Sequence, residues 1–556
     1  MKRNKLRLLG VVASVAMIGT ALAGCGTQTA TPSQSGSDTA TNSTQPVYGG
    51  TLQMDLSSQF PHLDPAKAYD TTSYEAVLQF FNQLVTYQGA TNNIVPDLAT
   101  YTISDGGKVY TFNIKQAKFW NGDPVTAQSF ITEFERVLNN NMQSGGQGFI
   151  DPIIKGSAAY VAGKANSVSG LQALNSNTLQ ITLQHPSATF LYVMAMPFFS
   201  AVDPSYIAAH PESYIDLHPM GTGPFELASY TPGKDYVLTK NPNYFVKGIP
   251  YLNKIVFNIN NSPSAVLFHF EQGQTGLISW NQGGIPSEDY LPLSNNPTYS
   301  GDIVKKTEVS INYLGLNCVS GPTKHVAVRR ALEDAVNKQV LVRILDGLAL
   351  PANQIIPPSM PSGYEPTLPA QDQYTYNPTL AKQLLAKAGY PNGFNTTIYT
   401  DNSNPSDLKT AEAIQQMFSQ IGVHAQVNQT SWNTFLTNNE TGKQNMFTLA
   451  WIEDFPDPSD FLNTLFNTNQ IPVNDSTDYS NQQVDALLNQ GALMPAGTAR
   501  DNVYKQAQNI IMSQAPWIPL VYPVYDAAVQ PWVKGFYINP NLVDPLQYMW
   551  VVPHNS

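Results

Sequence analysis

The stretch VPDLATYTISDGGKVYTFNIKQAKFWNGDPVTAQSF (95–130) decides how the chain is read. Within it, residues 108–114 (KVYTFNI) put Tyr110, Phe112 and Ile114 on one face and Val109, Thr111 and Asn113 on the other. An apolar period of two is the pattern of a half-buried strand. The spacing then predicts a helix over 126–139, with Thr126 as its cap. Phe130, Phe134, Val137 and Leu138 form its apolar stripe.

Outward from this unit, strands and helices alternate irregularly from Val47 onward. No fixed-period repeat appears, which argues against solenoids and propellers. Residues 225–240 read as a hairpin, FELASY and DYVLTK around Thr231-Pro232-Gly233-Lys234. Pro-Gly suits the centre of a type II turn, because glycine accepts the positive φ. The second half is more helical. Residues 326–345 carry Val328, Leu332, Ala335 and Val336 at helical spacing. Asn377-Pro378 caps and opens a helix that Gly389 closes. Residues 408–421 repeat the pattern through Ala411, Ile414, Met417 and Phe418, and Gly422 ends it. Val423, Ala425 and Val427 then alternate as a strand. This mixture predicts α/β or α+β layers.

Of 556 residues, 12% are charged and 42% hydrophobic. Charge is about half the usual 25%, so the surface is polar but sparsely charged. A net charge of -11 and a pI near 5.2 argue against nucleic acid, which needs a basic stripe. The basic cluster Lys2, Arg3, Lys5 and Arg7 instead precedes an apolar run over 8–23. That run is shorter than the ~20 residues a membrane helix needs, and it reads as a secretory leader. Removing the leader removes those four cations and no acid, taking the charge from -11 to -15. Such sparse charge suits an extracytoplasmic surface in an acidic medium. Residues 26–46 are mostly Thr, Ser, Gln, Ala, Gly and Asn, the composition of a loose tether. Cys318 is left as a lone thiol, expected to be buried and inert.

No HExxH, CxxC, Walker A or GxSxG pattern occurs, and the eight histidines are scattered. This counts against a surface hydrolase, and no catalytic residue, metal ligand or cofactor is assigned. The densest acidic group is Glu453, Asp454, Asp457 and Asp460. By itself it reads as a solvated loop leading into a helix.

Seven motifs stand in one order: LDPA (63–66), the 95–130 stretch, GTGPFELASY (221–230), VRRALEDAVNKQVLV (328–342), YNPTLAKQLLAKAGYPNGF (376–394), WIEDFPDPSDFL (451–462) and APWIPLVYPV (515–524). LAGC (22–25) precedes them and resembles a lipobox. With these motifs the chain resembles the family 5 extracellular solute-binding lipoproteins, the oligopeptide, dipeptide and nickel receptors of ABC importers. The resemblance runs from about Gly50 to the end. It implies an α/β, two-lobed periplasmic-binding-protein-like fold of the class II type, with an extra domain inserted in the first lobe. The implied parts are a leader over 1–24 and a tether over 25–46 from a lipidated Cys25. The first lobe is 47–81 plus 205–305 plus 514–556, the inserted domain 82–204, and the second lobe 306–513.

The resemblance also gives the acidic group a use. In peptide-binding members an Asp three residues after a cleft Trp holds the ligand's α-ammonium, which maps onto Trp451 and Asp454. Glu453 and Asp457 flank it as alternative anchors. An extended ligand would pair by its backbone with Tyr69, Asp70 and Thr71 on one lobe and with the segment from Ala450 through Trp451 and Ile452 to Glu453 on the other. The implied protein is a monomer that takes peptide, passes it to a permease with a separate ATPase, and is held to the membrane of a Gram-positive envelope by lipid. Nickel chelates or oligosaccharides are the rival ligands on this scaffold, and peptide sensing is the rival to import.

Overall fold

The computed structural model describes residues 45–553 apart from 152, 260, 261, 300, 361, 371, 372, 403, 404, 440, 473 and 541. The expected leader, Cys25 and nearly all of the expected tether lie outside the described residues.

The 95–130 stretch folds as its pattern predicts. Strands Ala99–Ser104 and Val109–Ile114 pair antiparallel, and Tyr110, Phe112 and Ile114 are buried. A helix runs Ala127–Leu138 with Thr126 at its N-cap, where the Ser129 hydroxyl accepts from the Thr126 N–H at 3.2 Å. Its stripe of Phe130, Phe134, Val137 and Leu138 is fully buried. Strands Thr178–Thr182 and Leu171–Asn175 complete a four-stranded antiparallel sheet. The core over this sheet draws mostly on residues 84–201.

A second four-stranded sheet joins distant parts of the chain. Thr51–Leu56 runs parallel to Lys254–Ile259, which continues antiparallel to Asp235–Lys240 and then Phe225–Thr231. The last two form the expected hairpin. Gly233 sits at φ 70°, and the Lys234 N–H donates to the Thr231 carbonyl at 3.0 Å.

The third sheet has eight strands. Its axis is Trp517–Val529, thirteen residues long and mostly buried. Residues 517–521 pair with Ser310–Leu316, and residues 524–528 pair with Ile303–Thr307. Beyond Ser310–Leu316 lie Met446–Ile452, Phe394–Asp401 and Val423–Thr430. The last two are parallel and are joined by the helix Pro405–Ser419, a βαβ unit. Gly422 at φ 83° closes that helix. Val423 and Ala425 are buried, as their alternation predicts.

One expected helix is two. Residues 326–345 form Val326–Ala335 and Lys338–Ile344, separated by extended Val336. Asn337 causes the break, because its side chain accepts from the Val340 N–H and starts a new helix. Apolar periodicity carries no trace of this, since both helices face the same core. Asn377 caps Pro378–Lys387 as predicted, its Oδ1 accepting from the Leu380 N–H at 3.0 Å. Cys318 is partly buried, and burial pushes its thiol up to about 12, away from the thiolate a nucleophile needs.

Candidate functional site

The LDPA turn is pinned by charge. Asp64 is fully buried; its Oδ2 accepts from Arg136 at 2.6 Å and its Oδ1 from the Ala66 N–H at 3.1 Å. Arg136 also donates to Glu133 at 2.5 Å and Glu212 at 2.7 Å. The Asp216 carboxylate accepts from the Leu63 and Asp64 N–H groups. The turn leads directly into the helix Thr71–Phe80, which Asp70 caps. Its two oxygens accept from the Ser73 N–H at 2.8 Å and the Ser73 hydroxyl at 2.7 Å. The Asp70 carboxylate is therefore committed to the helix, and Tyr69 is held one residue before it.

The opposite wall is the end of Met446–Ile452. Trp451 pairs with Ile311 and Ile452 with Ser310, and the Glu453 N–H adds one more rung to the Val309 carbonyl at 3.1 Å. Beyond it the chain turns around buried Asp460. This carboxylate accepts from the Trp451 indole at 3.0 Å and from the Asp454 N–H at 3.2 Å. Asp457 caps the helix Pro458–Phe466 and takes two bonds from buried Arg500, at 2.7 and 2.8 Å. Its charge is balanced there by Arg500, so Asp457 is engaged away from the cavity that Asp454 lines.

These two walls meet. The Tyr69 hydroxyl donates to Asp454 Oδ1 at 3.0 Å, between residues 385 apart in sequence. The Tyr69 ring packs on Phe198 and Phe149, and Phe149 reaches Phe455. Beside this contact is a cavity of about 260 Å³. Tyr69, Asp70, Thr71, Ile452, Glu453 and Asp454 all line it. Trp451 does not; it sits behind, against the core below Ser310–Leu316.

Sequence reasoning missed Tyr74, Tyr87, Glu308, Phe455 and Leu542, which line the same cavity. Phe455, next to Asp454, was the one that its place in sequence could have suggested. Leu542 enters from the chain end at φ 53°, with no motif to mark it.

The cavity is electrically acidic. Burial pushes Asp454 up to about 6, although the Tyr69 hydroxyl opposes the shift. Burial also pushes Glu308 up to about 7. Asp460 is raised well above the usual range by burial and then by Asp454. Glu453 is raised likewise, by burial and then by Asp460. Glu453 is only partly buried as a residue, yet its Oε2 is out of contact with water. The neighbouring cation is Lys306, whose ammonium donates to the Ala90 and Ile538 carbonyls at 3.0 and 3.2 Å. Such a site favours a ligand that brings positive charge.

Known proteins agree with this architecture. Heme-binding protein A of Haemophilus influenzae is 30% identical over 86% of this chain and 88% of its own length. The glutathione-binding protein GsiB of Escherichia coli is 28% identical over 87% and 91%. The solved periplasmic binding protein DppA of Helicobacter pylori, associated with an ABC transporter and in complex with the peptide STSA, superposes with a TM-score of 0.74. It shares 26% identity and is covered over 98% of its length, against 91% of this chain. The α/β, two-lobed periplasmic-binding-protein fold expected from the motifs is the fold of these neighbours. The profile described as bacterial extracellular solute-binding proteins, family 5 middle, matches residues 93–472, well over half the sequence. The chain therefore belongs to the family 5 extracellular solute-binding proteins, receptors that serve ABC importers and are not enzymes.

Proposed function

We propose that the solute is a peptide, held by its α-ammonium on Asp454 and delivered to an ABC permease. The observation that carries this reading is Asp454 itself, in a cavity where the 69–71 and 452–454 segments meet. In the free protein the Tyr69 hydroxyl hydrogen-bonds that carboxylate. A ligand ammonium replaces or joins it with a charge-assisted bond, which is about twice as strong. The rest of the peptide pairs by its backbone with the two segments, so affinity depends little on most side chains.

The lobes are those the motifs imply: 47–81 plus 205–305 plus 514–556, the inserted 82–204, and 306–513. The second lobe's core also draws on Ile518, Leu520 and Val521. The receptor works as a monomer outside the cell. It is tethered through 25–46 to a lipid on Cys25 after loss of residues 1–24, in a Gram-positive envelope.

The relatives' printed ligands differ, so the test is a thermal-shift panel on the mature chain. It compares mixed tri- to pentapeptides, glutathione, heme, a nickel chelate and an oligosaccharide. A ligand at 100 times its Kd adds about 2.7 kcal/mol. Peptides are expected to shift the transition. A shift with heme, nickel or sugar and none with any peptide would reject the reading.

A further inference from the structure

Peptide capture at Asp454, on which this inference rests, leaves a second carboxylate of the cavity unexplained. Glu453 is fixed by its backbone bond to Val309. Its Oε2 is buried and has no hydrogen-bond partner among the described residues. The other acids nearby are engaged. Glu308 accepts from the Ser310 hydroxyl at 2.8 Å, and Asp460 holds Trp451 and the Asp454 N–H. Lys306 lines a small space with Glu453 and attracts it electrostatically, yet its ammonium donates to two carbonyls and does not hydrogen-bond the buried Oε2.

A buried carboxylate oxygen without a hydrogen-bond donor is costly unless it is protonated or given a partner. A ligand with a single positive charge pairs Asp454 and leaves Glu453 as it was. The cavity has room for more, about 260 Å³, and its wall carries Val309, Tyr74 and Leu542. An aliphatic stem lies well along such a surface while its charged head reaches a carboxylate. We propose that this cavity is a subsite for a second cation, with Glu453 as the selecting residue, so that peptides beginning with a lysine, ornithine or arginine side chain are preferred. Burial raises the Glu453 carboxyl and a cation beside it acts in the opposite sense, so binding is expected to be linked to proton release.

The experiment is calorimetric titration of the full mature chain at pH 7. It uses three tripeptides differing only in the first residue: lysine, norleucine or glutamate. The lysine peptide is expected to bind about tenfold or more tighter than its uncharged norleucine counterpart. It should also show a larger buffer-dependent proton release, and the glutamate peptide should bind weakest. In Glu453→Gln the lysine-to-norleucine ratio falls to about one; the ratio within the variant is the readout, not its absolute affinity. Equal wild-type affinities for lysine and norleucine would overturn the subsite while leaving peptide capture intact. A ratio that survives Glu453→Gln would overturn the role of Glu453. Failure of all three peptides to bind would reject peptide capture and the subsite together. The wild-type comparison decides without the variant.

Discussion

Asp454 and Asp457 stand three residues apart in one loop and are equivalent by composition. Their difference depends on partners far away: Arg500 claims Asp457, and Tyr69 reaches Asp454. Local sequence holds neither fact. The Trp-x-x-Asp spacing singled out Asp454, an acid that lines the cavity, only through resemblance to a family. Glu308 was unreadable for the same reason, because nothing near it in sequence marks a cavity wall. The separation of roles is testable. Asp457→Ala removes a helix cap and strands a buried guanidinium, a loss of about 3–5 kcal/mol of stability. Denaturant titration should show that loss, while ligand affinity of the folded fraction stays at the wild-type value. A change in affinity with stability untouched would assign Asp457 to the ligand instead.

Elements were legible where one periodicity and one cap agreed. Ala127–Leu138 and Pro378–Lys387 are of that kind. The 326–345 segment was misread because a single Asn side chain restarts the helix without changing its apolar face. The strand Trp517–Val529 was unreadable as an axis. Its pairing with both Ser310–Leu316 and Ile303–Thr307 is a matter of long-range register. The helix Thr71–Phe80 shows what a cap does for the site, since the Asp70 cap fixes the backbone directly after Tyr69. Asp70→Ala should cost about 1 kcal/mol of stability, the usual value of a lost cap. It should also weaken ligand binding, because Tyr69 loses its mooring. Isothermal titration of the variant beside the wild type checks the second effect, and unchanged binding would argue that Tyr69 is held by its aromatic neighbours alone.

Across the whole molecule, charge is scarce and many of its carboxyls are buried. Burial raises Glu133 to about 8 and Glu308, Asp475 and Asp544 to about 7. A carboxyl that titrates higher in the folded chain than in the unfolded one binds protons preferentially when folded. Its contribution is full below the unfolded value of about 4 and is lost as pH rises through the folded value. Asp203, which is lowered, acts oppositely, and its contribution is lost as pH falls through its own value. The melting temperature should therefore be higher at pH 5 than at pH 8. A maximum near neutrality with early acid unfolding would contradict this, and with it the acidic setting suggested by the sparse charge. Capture of a ligand is likewise an act of the whole molecule, since the walls of the cavity come from residues 385 apart in the Tyr69–Asp454 pair. In the capture proposed above, Asp454 meets an α-ammonium. The direct test is the affinity of one bound peptide with its amino terminus free and with it acetylated, on wild type and on Asp454→Ala. The account predicts that acetylation and Asp454→Ala each cost about 3 kcal/mol, as breaking a buried pair does, and that the two losses do not add. Equal affinity of the free and acetylated peptides for the wild type would contradict it.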